Sequence, residues 1–357
     1  MRQLIEQSEN LNNLIMKKTF ALLLIITIYG CGIVATTLTE QKNYEFVETD
    51  VSKTANKYFW DNYHLGNYDS IPKIIEKLNI ALQANPKDIV STTHLGFVHI
   101  WALSERQRLV VPNPAITEHI LLSHKYFQES NLMNPHDLRV LGFLADLKLA
   151  QGATLENKKE LTRGYFLGLK SIRKWPQFNK FTIGYFFSSL DKTDKNFQKG
   201  LQWQYTIIDD CACENNTKNN LTDAVKKIKE NKNPEINRAC WNTWIAPHNW
   251  EGFCLNWGDM LTKNGEIDEA KKIYLLAKES DTYDEWMYKD VLEKRISEVQ
   301  NNSIDFNKKV DETNLHNQNV IMLNSAISCM SCHQMSKNEY ENSGHKDLGI
   351  NFYTSKK

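Results

Sequence analysis

The range 53–300 carries the pattern that most limits the fold, because apolar side chains recur there at three- and four-residue spacing. Such spacing places apolar groups on one face of a helix. Prolines are sparse in this range, and no run alternates apolar and polar residues as a half-buried strand would. We therefore predict an all-α fold, with a helical domain over 53–300.

The clearest helix pair is predicted near the end of this range. The residues that carry the pattern are Trp257, Gly258, Asp259, Met260, Leu261, Gly265, Ala270, Tyr274 and Ala277. The pattern resembles the tetratricopeptide repeat, which is a pair of antiparallel helices. The resemblance implies that the small residues let the two helices approach closely, while Leu261 and Tyr274 fill the gaps between repeats.

Weaker copies of the repeat are predicted upstream. Their signature residues are Ala81 with Pro86, Leu95-Gly96, Asn134-Pro135, Leu144-Ala145 and Trp175-Pro176. The three prolines lie further apart than the repeat length of about 34 residues. We expect an irregular tetratricopeptide-like α-α superhelix, with an unrelated α-α superhelix as the alternative. In both cases each helix pair needs its neighbours to bury its apolar face.

The range 301–319 is rich in asparagine and poor in large apolar groups, which predicts a linker. It separates the helical domain from a short C-terminal segment, residues 320–357. We expect that segment to be helical around the motif described next.

Cys329-Met330-Ser331-Cys332-His333 has the spacing C-x-x-C-H. Thiols at positions i and i+3 lie on one helical face, and the histidine that follows can ligate a metal. The motif resembles the haem-attachment site of c-type cytochromes. This resemblance implies one covalent haem c on Cys329 and Cys332, with His333 as the proximal iron ligand. A redox disulfide or half of a zinc site is the alternative, although no second C-x-x-C accompanies the motif.

Few residues follow His333, whereas an ordinary cytochrome c domain needs several more helices and a distal methionine. The position of the motif is similar to that in cytochrome c′ and cytochrome P460, although residues 1–300 resemble neither. We therefore expect the helical domain or a partner to enclose the haem. His345 is the candidate sixth ligand, with His316 and Met322 as alternatives.

The N-terminal residues 1–30 are predicted to form a signal peptide. Lys17 and Lys18 precede an apolar stretch over 20–30, which has the length of a secretory signal and is short for a membrane span. Met16, just before the lysines, is an alternative start.

The apolar stretch ends in Ile28-Tyr29-Gly30-Cys31, which resembles the lipobox of bacterial lipoproteins. The resemblance implies cleavage before Cys31, lipidation of its thiol and anchoring in a membrane. Gly32 in the next position implies the outer membrane, and residues 31–52 would form the lipidated tether. An ordinary signal peptide or an uncleaved anchor is the alternative.

Four further cysteines remain once Cys31 and the two motif cysteines are set aside. They are Cys211, Cys213, Cys240 and Cys254. An even number of remaining cysteines in an exported chain predicts that they pair, which gives two disulfides. Cys211 and Cys213 are too close to pair with each other, so each would pair with Cys240 or Cys254, and both connectivities remain open. A four-cysteine metal site is the alternative.

The stretch 241–253 combines three tryptophans with polar side chains. His248, Trp250 and Glu251 are candidate pocket residues, which could cap the haem or line a ligand site. The alternative is a structural connection to the clearest helix pair.

The chain has 43 basic and 43 acidic side chains, which argues against nucleic-acid binding. We expect an electron-transfer subunit of the bacterial cell envelope, facing the periplasm and docking through its helical domain to a redox partner or an envelope complex. The alternatives are a tetratricopeptide scaffold lipoprotein and a five-coordinate haem enzyme of the peroxidase or P460 kind. The sequence indicates no catalytic residues.

Overall fold

The computed structural model describes residues 16–19, 38–40, 42–45, 49–111, 113–231, 238–311 and 313–343. The chain divides into two units, 1–43 and 44–357, and the fold below is that of the second. Cys31 and His345, on which a lipid and a sixth iron ligand are predicted, lie outside the described residues.

The predicted all-α superhelical fold is confirmed. The α-helices are α1 (Asp50–His64), α2 (Ile71–Ala84), α3 (Ile89–Ser104), α4 (Glu118–Met133), α5 (Leu138–Thr154), α6 (Lys158–Lys174), α7 (Pro176–Phe187), α8 (Lys195–Ala212), α9 (Leu221–Glu230), α10 (Asn249–Asn264), α11 (Ile267–Leu276), α12 (Lys289–Ser297), α13 (Val299–Asp305), α14 (Met330–His333) and α15 (Lys337–Asn342). Within the described ranges, β pairing is limited to one bridge between Glu45 and Asp88. Within those ranges, no helix combines the length and the apolar composition that a membrane-spanning helix needs.

Consecutive helices pack as pairs, most extensively α3 with α4, α5 with α6, α7 with α8 and α10 with α11. Their boundaries follow from the sequence. Asp88 and Asp137 cap α3 and α5 by accepting hydrogen bonds from the first free backbone amides. The Asn134-Pro135 step follows the end of α4, and Pro176 occupies the first position of α7.

Small residues set the closest approach of paired helices, as predicted. A Cβ atom added at Gly258 in α10 would lie 2.1 Å from the ring of Tyr274 in α11. At Gly96 in α3 the same atom would lie 2.8 Å from the ring of Phe127 in α4. Contacts this short require glycine, so the aromatic ring of one helix packs directly on the backbone of the other. The resemblance to the tetratricopeptide repeat itself stays a prediction.

The C-terminal segment belongs to the same compact unit as the helical domain. Helix α13 extends into the predicted linker and buries Asn302. Beyond it, the Arg295 guanidinium donates to the carbonyl of Val320 at 2.7 Å, and the Asp259 carboxylate accepts from the amide of Met322 at 2.9 Å. The chain therefore returns to the helical domain directly after the linker.

The structure contains one disulfide where the sequence predicted two. Cys211 in α8 is bonded to Cys240, whereas Cys213 and Cys254 are free thiols. The prediction of a second bridge was wrong because these two thiols lie in different environments. Cys213 follows the end of α8 with a left-handed backbone and is exposed, whereas Cys254 lies inside α10 and is fully buried. The bridge also rules out the four-cysteine metal site, and no cluster of three or more metal-ligating side chains occurs among the described residues.

The single bridge gives a prediction for thiol labelling. Without reductant, Cys213 should react with an alkylating reagent in the folded protein, whereas Cys254 should react only after unfolding. The double variant Cys211→Ala/Cys240→Ala should lower the free energy of unfolding by about 2–4 kcal/mol, because it removes a cross-link on the unfolded chain. Mass spectrometry and urea denaturation measure both effects. Cys213→Ala is the matched control and should leave stability nearly unchanged, so equal losses in the two variants would contradict the assignment.

Candidate functional site

The C-x-x-C-H segment is held at its start by a buried carboxylate from α3 and the turn after it. The backbone amides of Cys329 and Met330 donate to Oε1 of Glu105 at 2.9 and 2.8 Å. Amides at the start of a helix lack partners within the helix, so Glu105 satisfies them from a distant part of the chain. Its Oε2 accepts from Trp101 at 3.0 Å and pairs with Arg108 at 2.7 Å. Burial raises the pKa of Glu105, while Arg108 and these hydrogen bonds oppose that rise.

Helix α14 packs on the N-terminal turn of α10 with almost no space between them. A Cβ atom added at Gly252 would lie 2.2 Å from Sγ of Cys332, so this position requires glycine. The amide of His248 donates to the carbonyl of Cys332 at 3.0 Å, and the Trp286 indole donates to the carbonyl of Ser331 at 2.8 Å. These contacts fix how closely α14 lies against α10 and how α14 is rotated about its own axis.

The His333 ring is oriented by a backbone carbonyl. Its Nδ1 lies 2.7 Å from the carbonyl oxygen of Ile245. Because a carbonyl can only accept, Nδ1 carries the hydrogen. Burial lowers the pKa of His333, although the Ile245 hydrogen bond opposes the shift. The imidazole is therefore neutral, and Nε2 keeps a lone pair for a ligand.

A cavity of about 300 Å³ borders Cys329, Cys332 and His333 together. Its walls are mainly apolar and aromatic, with side chains from α1, α3, α5, α7 and α10. Aromatic wall residues include Phe59, Phe97, Phe143, Phe178, Phe181 and Trp250. The Cys211–Cys240 disulfide also lines the cavity. The site therefore combines two thiols, one lone-pair nitrogen and an apolar space.

Cys332 is buried in this site, and Cys329 is partly buried. Burial raises the pKa of Cys329 and of Cys332 to about 12, and the nearby Glu105 and Glu251 carboxylates add to the shifts of Cys329 and Cys332, respectively. Each thiol is consequently protonated near neutral pH, and its nucleophilicity is low.

The predicted pocket residues divide between two places. Trp250 lines the cavity and donates its indole hydrogen to the carbonyl of Leu276 at 2.8 Å. His248 and Glu251 lie outside the cavity lining and form a buried ion-pair cluster with Glu339 of α15. His248 Nδ1 lies 3.2 Å from Glu251, and its Nε2 lies 3.2 Å from Glu339. This cluster joins α15 to the start of α10.

The alternative sixth ligands lie away from the cavity lining. His316 is exposed, and its Nε2 lies 2.7 Å from the carbonyl of Leu109. Met322 is buried in the core formed by α8–α13. Among the described residues that line the cavity, no side chain besides His333 is a histidine or a methionine.

Sequence reasoning missed Glu105, Gly252 and Ile245, which position the motif. Glu105 lies 224 positions from Cys329, and nothing in its sequence surroundings marks it. Gly252 is one of 15 glycines, and Ile245 acts through its backbone. The stretch 241–253 contains both Gly252 and Ile245, but its sequence signal comes from the tryptophans and polar side chains.

Comparisons with known proteins give no assignment. The chain matches no protein-family profile, no curated protein and no solved structure. The geometry around the C-x-x-C-H segment therefore carries the functional conclusion.

The His248 cluster predicts a pH dependence of stability. Burial alone would lower the pKa of His248, but hydrogen bonds to Glu251 and Glu339 and their charges outweigh it and raise the pKa to about 9. Because the folded value lies above the ordinary 6.5, the contribution is complete below pH 6.5 and is lost as the pH rises to about 9. We expect the free energy of unfolding, measured by urea denaturation, to fall by on the order of 2 kcal/mol across this pH window.

Variant His248→Gln should remove this part of the pH dependence. The matched control is His136→Gln, which changes an exposed histidine and should keep it. A wild-type stability that is constant from pH 6 to 9.5 would contradict the charged cluster.

Proposed function

We propose that the protein carries one covalent haem c, bound through thioethers to Cys329 and Cys332 with His333 as proximal iron ligand, and that it acts as an electron-transfer subunit. The supporting observation is that all three motif side chains border one apolar cavity of about 300 Å³. A C-x-x-C-H sequence exposed on a loop would give no such support.

The side chains present fit the haem group. His333 offers Nε2 because Ile245 engages Nδ1, which is the arrangement that orients a metal-ligating histidine and raises its basicity. The flat aromatic walls suit a macrocycle, since stacked and edge-on ring contacts are favourable. Arg139 and Arg238 line the same cavity, and the Arg139 guanidinium is paired there with the Asp137 carboxylate at 2.6 Å.

Bound haem would supply one-electron redox chemistry, and the chain's own residues set its conditions. The apolar walls exclude water, which controls the potential of a buried redox centre. Glu105 holds the attachment turn in place, and Gly252 lets Cys332 lie against α10. Together these contacts fix the attachment segment on the helical domain, as a rigid redox site requires.

A series of aromatic rings leads from His333 towards the surface. The Tyr63 ring lies 5.2 Å from His333 and 6.1 Å from Trp60, between ring centroids. Trp60 lies 4.9 Å from Trp244, which is partly exposed. Electron tunnelling weakens steeply with the gap to be crossed, so this series of short gaps supports transfer to a docked redox partner.

The proposed location is the periplasmic face of a bacterial envelope membrane, the outer membrane in particular, with a lipid on Cys31 as anchor. The basis is the N-terminal sequence alone. The paired helices offer a large surface for a redox partner or an envelope complex, as stacked helix pairs generally do.

Haem attachment is the first test. Expressed with a haem c maturation system, the protein should stain for haem after denaturing electrophoresis. The double variant Cys329→Ser/Cys332→Ser should lose the stain, because both thioether positions are gone. Cys213→Ser removes an exposed thiol and is the matched control, which should stain like the wild type. A wild-type chain with only the apoprotein mass would refute the proposal.

Electron transfer is tested on the matured protein. We expect a reversible one-electron transition in a spectroscopic redox titration and slow turnover of hydrogen peroxide and hydroxylamine. Rapid turnover of either compound would favour the enzyme alternative. An irreversible transition would favour the scaffold alternative.

A further inference from the structure

A second cavity, of about 660 Å³, lies beside the predicted linker. Its described lining residues come from the turn after α7, the end of α10, the end of α13 and the chain that follows α13. None of them also lines the cavity of the C-x-x-C-H segment. We call it the linker cavity. Its volume is typical of a site for a small molecule.

The lining of the linker cavity includes a buried lysine. Lys263, near the end of α10, is 5 % exposed. Its Nζ donates to the carbonyls of Ser188 and Leu190, at 2.9 and 2.7 Å, in the turn after α7. An ammonium group has three hydrogens to donate, so these two bonds leave one without an acceptor.

The positive charge of Lys263 forms no ion pair with a carboxylate of the described residues. Asp191 attracts it from a longer range, but this carboxylate is exposed and accepts from Thr193. Burial lowers the pKa of Lys263 to about 8, so most of the group stays charged at pH 7. Buried charges in proteins are normally paired, so this lysine points to an anionic ligand.

Two further lining residues have side chains with unused hydrogen-bonding capacity. The Lys309 ammonium and the Asn324 amide form no hydrogen bond or ion pair within the described structure. Lys308, in contrast, is paired with Asp305 at 2.5 Å. The linker cavity therefore offers a second cation and a neutral polar group besides Lys263.

The charges around the linker cavity favour a ligand with one negative charge. The ionisable lining residues are Lys263, Lys308, Lys309, Asp191 and Asp305, which give a net charge of +1. A carboxylate would neutralise this charge. A phosphate monoester, with a charge of about −1.5 to −2 at neutral pH, would exceed it.

The neutral part of the lining suits a ligand with hydroxyl groups. Five lining residues have side-chain amides, namely Asn307, Asn317, Gln318, Asn319 and Asn324. An amide group both donates and accepts hydrogen bonds, as a hydroxyl group does. Buried apolar residues, Phe306, Val320 and Ile321, also belong to the lining and can cover the C–H surface of such a ligand.

We propose that the linker cavity binds a small hydroxylated monocarboxylate of the sugar-acid class. The carboxylate pairs with Lys263, Lys309 adds attraction, and the hydroxyl groups bond to the side-chain amides. This site is separate from the proposed haem site, so the inference stands or falls independently of electron transfer.

Lys263 also has a structural role, because cations and hydrogen bonds at the last carbonyls of a helix are stabilising. The carbonyls that it engages directly follow α7. That role uses two of the three ammonium hydrogens and supplies no negative charge. The structural and binding roles are therefore compatible, and ligand titration separates them.

The test is isothermal titration calorimetry on the full-length protein at pH 7. The probes are glucuronate, glucose and glucose 6-phosphate, which differ only in the group on the sixth carbon. Glucuronate should bind most tightly, because it combines hydroxyl groups with one negative charge. Glucose should bind at least about tenfold more weakly, since it leaves Lys263 unpaired. Glucose 6-phosphate should also bind more weakly than glucuronate.

Two variants locate the site. Lys263→Met removes the buried charge and should weaken glucuronate binding by more than about tenfold. Lys309→Gln changes an exposed side chain, so it should fold normally, and it should weaken binding by about two- to threefold. The matched control is Lys271→Gln, which changes an exposed lysine of α11 outside the lining and should bind like wild type.

Thermal unfolding shows whether each variant folds, and the three probes and Lys309→Gln decide the matter if Lys263→Met does not. The inference is overturned if wild type binds no glucuronate at millimolar concentration, or if glucose or glucose 6-phosphate binds as tightly. Unchanged glucuronate binding in every variant that folds would also overturn it. A Lys263→Met protein that loses only stability would show that this lysine is purely structural.

Discussion

The Glu105 carboxylate is the interaction on which the rest of the site depends. It is fully buried, accepts from the amides of Cys329 and Met330 and from the Trp101 indole, and pairs with Arg108, which is partly exposed. A buried charge is stable only when it is paired and hydrogen-bonded. Loss of any of these partners would therefore destabilise the Glu105 carboxylate, and loss of the carboxylate would leave its partners unsatisfied. Through it, the C-x-x-C-H segment is bound to the end of α3 and completes the cavity wall.

The fold was predictable from local patterns, whereas the site was predictable only in part. Helical spacing and the residues around Gly258 and Tyr274 are local, and the structure confirms the close helix pair they predicted. The C-x-x-C-H spacing is local too. The carboxylate that caps it and the carbonyl that orients His333 act across long stretches of chain, and a backbone carbonyl has no sequence signature.

The cysteines show why counting can mislead. The even number of remaining cysteines predicted two disulfides, yet the structure has one disulfide and two free thiols, one exposed and one buried. The number of cysteines does not show which way each side chain points: Cys211 faces the core from within α8, whereas Cys213, just past the end of that helix, has a left-handed backbone and is exposed. The 241–253 stretch contributes to two places in the structure. Its density of polar and aromatic groups was real, but it serves both the cavity wall at Trp250 and the separate His248 cluster.

The raised pKa values of the two motif thiols bear on the order of events during maturation. With pKa values of about 12, Cys329 and Cys332 present almost no thiolate in the folded protein. Thioether formation under the proposed function would therefore have to occur while the segment is still undocked from Glu105 and Gly252. The same chain needs Cys211 and Cys240 oxidised, so its passage through the envelope would require a period in which one cysteine pair is bridged and the other is kept reduced. Cofactor attachment would then have to be complete before the first helices fold around the segment.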